Sequence, residues 1–332
     1  MKKNIFLSLT AAFVLAGTSL YATSENKADL QATVKTDAPI HSFWAFGPSK
    51  DHVTKKQLAY FKSMGLIDKH QMISKEIAKV TAKHGKAPAE VLHGLSATVK
   101  AMAALEKKDK KSAETYLTEA TKQFDAALKK DAALKLVPVD EDVNVIANVI
   151  TPDQAKEIKK DAMKTLKNNQ PQETIALLSA LVDQITITTA YLPMDLYPKA
   201  THTALEELKK GKDTKVALAT LIDGLSTIVN TQVVIPLPLL MAQKVVSDAE
   251  KLGNKEKKKT VKLLDLAQGQ LVLAQYEGYI SADSTEYKTL SSEIKKLKEK
   301  AEKGNIVSKD YDKAKSYFHT LSEKFHKGTK KQ

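Results

Sequence analysis

The chain of 332 residues contains no cysteine and no arginine. The absence of cysteine excludes disulfide bonds, thiol nucleophiles and zinc sites with thiolate ligands, so the stability of the fold has to come from packing. Arginine is the side chain that most often reads guanine edges and that holds phosphate with two hydrogen bonds at once. Its absence argues against sequence-specific recognition of nucleic acid.

Motifs of enzyme chemistry are also missing. The sequence contains no G-x-S-x-G, G-x-x-x-x-G-K-[ST], H-E-x-x-H or G-x-G-x-x-G. The best metal constellation is His319, Glu323 and His326, whose spacing places them on one helix face, but a fourth ligand is lacking. We therefore expect no enzyme, no cofactor and no metal site.

Lysine supplies all 52 basic residues, against 39 acidic ones, and the formal net charge is +13. Such a surface is typical of a soluble protein whose lysines are solvated. It can also attract anionic lipid headgroups or acidic polymers weakly. Both interpretations stay open.

The N-terminus has the pattern of a secretory signal. Two lysines precede the apolar run of residues 5–16, and Leu20, Tyr21 and Ala22 form a cleavage site. The run is too short to span a bilayer, and no cysteine is available for a lipoprotein anchor. We expect a signal peptide at residues 1–22, cleavage after Ala22 and a periplasmic location.

Residues 23–52 are expected to form a flexible arm with an aromatic anchor. The arm is polar and lacks periodicity until Phe43, Trp44 and Phe46. These aromatic side chains either fix the arm to the helical body or contact a ligand or partner.

A helical period of 3.6 residues begins near Val53 and is clearest over residues 110–131. Residues 134–150 differ, because β-branched residues crowd there, and this pattern predicts an extended connection or a short hairpin turning at 140–142. Thr151 then has the features of a helix N-cap, with Pro152 at the first helical position and Gln154 placed for a capping box.

Three similar helix pairs follow. Polar turns come after Leu166, Leu208 and Leu252, and each is followed by a helical pattern. Two apolar residues precede an aspartate in each unit, namely Asp183, Asp223 and Asp265. A period near forty is typical of stacked helix hairpins, although amphipathic helices of similar length can imitate one another. We expect the aspartates to make structural pairs rather than an acid–base site.

Two nearly uncharged runs, residues 185–198 and 228–241, lead from β-branched and hydroxyl residues into proline-interrupted apolar segments. We expect them to be buried junctions between helix pairs. Prolines remove backbone donors and leave spaces that tyrosine and methionine can line. The candidate site for a small amphipathic ligand therefore comprises Tyr191, Pro193, Met194, Tyr197, Pro236, Pro238 and Met241. The alternative is that these residues complete the core.

Residues 283–332 are expected to form a lysine-rich pair of helices. Tyr311, Tyr317, Phe318 and Phe325 lie on the second helix. Their stripe either docks on the body or belongs to a basic amphipathic helix on a membrane surface.

Several phrases of the sequence resemble the YfdX family of exported bacterial helical proteins. They are VPVDEDV at 137–143, ITPDQA at 150–155, TAYLPMDL at 189–196 and the segment 204–225. The resemblance covers about residues 91–278 and gives residues 53–282 as the helical YfdX-like domain. It implies an all-α periplasmic protein linked to envelope or acid stress, often oligomeric, without an agreed biochemical activity.

The expected fold is all-α, a multi-helix bundle or stacked helix hairpins with one extended or hairpin segment near 134–150. The expected function is non-enzymatic and stress-related, by binding small amphipathic molecules or exposed apolar surfaces of client proteins. The alternative is an envelope-associated protein that contacts anionic lipid or polymer through its lysines. A homo-oligomer is compatible with both, because an uncovered repeat face favours self-association.

Overall fold

The computed structural model describes residues 69–326 and 329–330. The expected signal peptide, the arm with Phe43, Trp44 and Phe46, and the apolar stripes of residues 53–68 lie outside the described residues. The helices are α1 Lys69–His84, α2 Ala89–Glu106, α3 Lys110–Lys130, α4 Pro152–Lys167, α5 Pro171–Ser179, α6 Tyr197–Lys209, α7 Thr214–Ser226, α8 Leu237–Leu252, α9 Lys257–Tyr276, α10 Thr285–Lys303 and α11 Asp312–His326. The strands are β1 Leu136–Ile146, β2 Gln184–Pro193, β3 Val229–Pro236 and β4 Thr329–Lys330.

The expectation of a mostly helical protein with an extended segment near 134–150 is confirmed, but the molecule also has an antiparallel sheet of order β1-β2-β3-β4. Of the two alternatives for this segment the extended one is found, because β1 continues through 140–142 with Glu141 paired to Thr189. The register of β1 shifts between Pro138 and Asp140, and no turn occurs at 140–142. The runs 185–198 and 228–241 begin as strands β2 and β3 instead of interhelical turns. Their β-branched residues fit a pleated surface, and pairing partners far away in the chain fix them there.

The sheet separates two hydrophobic cores. Ile185 and Ile187 of β2 belong to a C-terminal core with α1, β3 and α8–α11, whereas Ala190 and Leu192 belong to an N-terminal core with α2, α3 and β1. Successive side chains of a strand point to opposite faces, so the change from odd to even positions moves the buried face to the other side of the sheet. In the described part of the chain, no helix is long and apolar enough to cross a membrane.

Each of the three long strands is followed by a helix hairpin. The hairpins are α4–α5 after β1, α6–α7 after β2 and α8–α9 after β3. The polar turns expected after Leu166, Leu208 and Leu252 are confirmed as the turns of these hairpins. A proline occupies the first turn of the first helix in each unit, where its missing N–H needs no partner. The repeated unit is therefore a strand followed by two helices.

The capping box expected at Thr151 is confirmed, and the last helix follows one of the two alternatives left open for it. Thr151 Oγ1 accepts a hydrogen bond from the backbone N–H of Gln154 at 3.2 Å, and Gln154 Oε1 accepts one from the backbone N–H of Thr151 at 2.9 Å. At the C-terminal end, α10 and α11 dock on the C-terminal core, where Phe318 of α11 is buried. Tyr311 is buried there too, but it lies in the 3-10 turn Ser308–Tyr311 that precedes α11 and not on the helix itself. The aromatic stripe of the last helix thus packs inward.

The three aspartates occupy unlike positions. Asp183 lies in the loop before β2 and accepts a hydrogen bond from the Asn148 amide at 3.1 Å. Asp223 lies on α7, and Asp265 on α9 forms an ion pair with Lys298 at 2.6 Å. They do not converge on one carboxylate site.

Candidate binding surface

The residues expected to line a ligand site are divided between the two cores. Met194 and Tyr197 are buried in the N-terminal core, and the Tyr197 ring meets the Phe124 ring edge-on with 5.7 Å between centroids. Burial raises the pKa of Tyr197 well above its usual range. Met241 is buried in the C-terminal core. The structure does not bring these three side chains together.

The prolines of the candidate set end strands and begin helices. Pro193 ends β2, Pro236 ends β3, and Pro238 lies in the first turn of α8. Pro236 also lines a small cavity together with Phe318 and Phe325. The cavity holds about 20 Å³, which is room for about one water molecule. Space for an organic ligand is lacking there.

Tyr191 belongs to a polar cluster that ties α1 to the sheet. His84 Nδ1 lies 2.8 Å from Glu141 Oε2 and 3.2 Å from Thr189 Oγ1, and its ring meets the Tyr191 ring edge-on with 6.2 Å between centroids. Burial raises the pKa of Tyr191 above its usual value, although a hydrogen bond with Thr231 acts against the rise. The cluster positions the C-terminal end of α1.

A second tie joins α1 to α11. His326 Nε2 lies 2.8 Å from Glu76 Oε1, and the His326 side chain is 2% exposed. Burial acts to raise the pKa of Glu76, but the hydrogen bond with His326 and the charge of Lys79 outweigh it and lower the pKa. His319 is exposed and takes no part in this contact between His326 and Glu76. Among the described residues, no group of three histidine or acidic side chains is arranged to hold a metal ion.

An exposed apolar face lies on the α4–α5 hairpin. We call it the hairpin patch and define it as Met163, Leu166, Ile175 and Leu178, which are 55%, 62%, 63% and 48% exposed. The buried residues of α4 are small, namely Ala155 and Ala162, and the buried residue of α5 is Thr174. Ile158 of α4 packs against a small core that includes Ala155, whereas Met163 and Leu166 of α4 and Ile175 and Leu178 of α5 are exposed.

The geometry of the hairpin places the patch on one side. Thr165 Oγ1 on α4 and Thr174 Oγ1 on α5 lie 2.8 Å apart, so these residues face each other across the pair. In two antiparallel helices, the residues that follow such a facing pair rotate to the same side. Leu166 and Ile175 are those residues, so they lie on the same side of the hairpin.

The hairpin patch is not apparent from the sequence. The apolar stripe of α4 looks like any stripe that packs against a neighbour, because a helix pattern does not say what covers it. The small size of Ala155 and Ala162 was the available signal, since alanines alone bury little area.

Residues 95–234 match a family model described as YfdX protein. A solved structure of Salmonella Typhi YfdX is 16% identical, covers 46% of this chain and 93% of that chain, and gives a TM-score of 0.31. No curated protein matches the chain.

Proposed function

Residues 95–234 of the chain belong to the YfdX family, and we propose on this premise that the protein is a non-enzymatic, stress-related binding protein of the periplasm. It acts by contacting exposed apolar surfaces of other proteins. The observation that supports this function is the hairpin patch, where Met163, Leu166, Ile175 and Leu178 are each about half exposed or more. A contiguous exposed apolar area on a soluble protein usually marks a contact site.

The form of the surface favours a protein client over a small ligand. Small-molecule sites are concave and enclose most of the ligand. The side chains first expected to line such a site, Met194, Tyr197 and Met241, instead fill the cores. The hairpin patch is an outward face across two helices, and it suits an extended apolar segment of a partially unfolded protein.

The binding free energy that the hairpin patch can supply favours a transient contact. Covering the exposed half of one large aliphatic side chain is worth about 1 kcal/mol, so the four side chains supply about 4 kcal/mol before the costs of association. That value corresponds to weak binding by the patch alone. Exposed lysines of α4, such as Lys164 and Lys167, flank the patch and keep this face hydrated.

The test measures suppression of client aggregation. A model client is diluted from denaturant into buffer with increasing amounts of the mature protein, and light scattering is recorded. The variant Met163→Gln, Leu166→Gln, Ile175→Gln and Leu178→Gln is expected to need about tenfold more protein for half-maximal suppression. A wild-type protein without suppression, or a variant that acts as well as wild type, would overturn the proposal.

A matched control removes equally exposed apolar residues outside the patch. Leu196, Val216, Ile222 and Val307 are 47%, 41%, 46% and 59% exposed. Val216 and Ile222 lie on α7, whereas Leu196 and Val307 lie in connecting segments. Their combined replacement by glutamine is expected to leave suppression unchanged. An equal loss in both variants would point to general hydrophobicity instead of the hairpin patch.

A further inference from the structure

A groove of about 780 Å³ lies between α2 and α3 and reaches the end of α6. This volume is within the range of small-molecule sites. Its lining contains Lys100 from α2, Lys111 from α3 and Lys209 from α6. Each of three helices thus contributes one lysine to the lining of the same concave surface. The lining contains none of the residues that the sequence predicted to bind a ligand.

These three lysines differ from many others in the described part of the chain. Lys313 and Lys315, for example, form ion pairs with carboxylates at 2.9 Å. Within the described residues, Lys100, Lys111 and Lys209 have no carboxylate within ion-pair distance. Lys100 instead lies over the Tyr116 ring, with 6.0 Å from Nζ to the centroid. Their charges are therefore available to a ligand.

The groove also contains two acidic side chains, which are partly engaged along α3. Glu119 Oε1 accepts a hydrogen bond from Gln123 Nε2 at 2.7 Å, and Glu114 lies 4.0 Å from Lys110. His93 lines the groove as well and adds a positive charge when it is protonated. The lining therefore carries a net positive charge, and the two carboxylates weaken its attraction for anions.

The chemistry of lysine defines the ligand class. Each ammonium is a compact, strongly hydrated charge without the planar fork of arginine, so it recognises charge rather than the shape of one anionic group. Three such charges on three helices favour an anion with several negative groups. We propose that this groove binds small multivalent anions, bearing phosphate or carboxylate groups, and that it acts independently of the hairpin patch.

The test uses tripolyphosphate and citrate as probes in isothermal titration calorimetry with the mature protein, at constant ionic strength. Saturable binding of both probes is expected, weakening as salt is raised. The variant Lys100→Gln, Lys111→Gln and Lys209→Gln is expected to lose about tenfold in affinity. Unchanged affinity in this variant would overturn the proposal, as would failure of the wild type to bind either probe.

The control separates a site from diffuse attraction. Lys122, Lys199 and Lys262 are also exposed and lie outside the groove lining. Their combined change to glutamine alters the net charge by the same amount and is expected to change affinity by less than about threefold. Equal losses in the two triple variants would contradict a site in the groove.

Two further variants sharpen the outcome. Glu114→Gln with Glu119→Gln removes the opposing charges and is expected to tighten binding, whereas loss of binding would contradict the proposed charge pattern. The hairpin-patch variant is expected to bind the probes as wild type does, so failure of one proposal does not imply failure of the other. Co-sedimentation with phosphatidylglycerol vesicles distinguishes lipid headgroups from free anions: sedimentation that the groove variant abolishes makes the source a headgroup, and its absence leaves soluble anions.

Discussion

The hairpins α4–α5 and α8–α9 share the same sequence of elements, but α8–α9 is covered by other helices and α4–α5 exposes a large apolar face. Each follows a strand of the sheet, begins with proline in its first turn and has a short polar turn between its helices. In α8, large side chains such as Leu239, Met241 and Val245 are buried, whereas α4 buries Ala155 and Ala162. The later helices α10 and α11 complete the core around α8–α9. Coverage therefore comes from elements elsewhere in the chain.

The largest expected effect is the difference in stability between two leucine-to-alanine variants, one in each hairpin. Leu264 of α9 is fully buried in the C-terminal core, whereas Leu166 of α4 is 62% exposed. Leu264→Ala is expected to lower the free energy of unfolding by about 2–5 kcal/mol, because it removes buried methyl groups and leaves a cavity. Leu166→Ala is expected to stay within about 0.5 kcal/mol of wild type. Equal effects in urea unfolding would contradict the difference in coverage.

The next effect concerns the remaining hairpin, α6–α7, whose two helices approach each other closely. A Cβ atom added at Gly224 would lie 2.6 Å from the Ala200 Cβ atom. Gly224→Ala is therefore expected to cost about 1–3 kcal/mol by overpacking, although alanine is the better helix former. The measurement is thermal unfolding, and the double variant Gly224→Ala with Ala200→Gly should recover much of the loss. A stabilised Gly224→Ala protein would refute the close approach.

A smaller effect tests how α4–α5 is held without deep burial. Thr151→Ala removes the acceptor of the capping box and is expected to cost about 1 kcal/mol. Thr151→Ser keeps the hydroxyl and should retain most of the stability. Faster hydrogen exchange at the first turn of α4, with α8 unchanged, is the expected local signature. Unchanged exchange in Thr151→Ala would show that packing alone fixes this end.

The smallest effect concerns the tie of α1 over the C-terminal core. The pKa of Glu76 is lowered from 4.5 in the folded protein, so its ionised form contributes stability above that pH. The contribution is lost as the pH falls below 4.5 through the lowered pKa, and Glu76→Gln should remove this part of the pH dependence, worth less than about 1 kcal/mol. Parallel stability curves for the two proteins across this range would contradict the tie.

Local features of the fold could be predicted from the sequence, whereas the long-range pairing of the strands could not. Helices, polar turns and the Thr151 cap were predictable, because each depends on residues within a few positions of one another. The sheet was not, since Glu141 pairs with Thr189 far along the chain, and a β-branched run has no local sign of its partner.

The candidate sites show the same limit. Met194, Tyr197 and Met241 have side chains that suit a ligand cavity and a core equally well, and tertiary packing placed them in the cores. The hairpin patch exists because a helix face remains uncovered in the folded protein. The groove between α2 and α3 exists because three helices meet there. A single sequence pattern cannot give that information.

The α4–α5 hairpin is proposed to contact apolar segments of client proteins. The most direct measurement of this contact is hydrogen–deuterium exchange of the protein with and without an excess of an unfolded client. Client binding is expected to slow exchange in residues 152–179, which include the hairpin patch, and to leave residues 237–276 unchanged. Slower exchange confined to other segments, with residues 152–179 unaffected, would contradict the account.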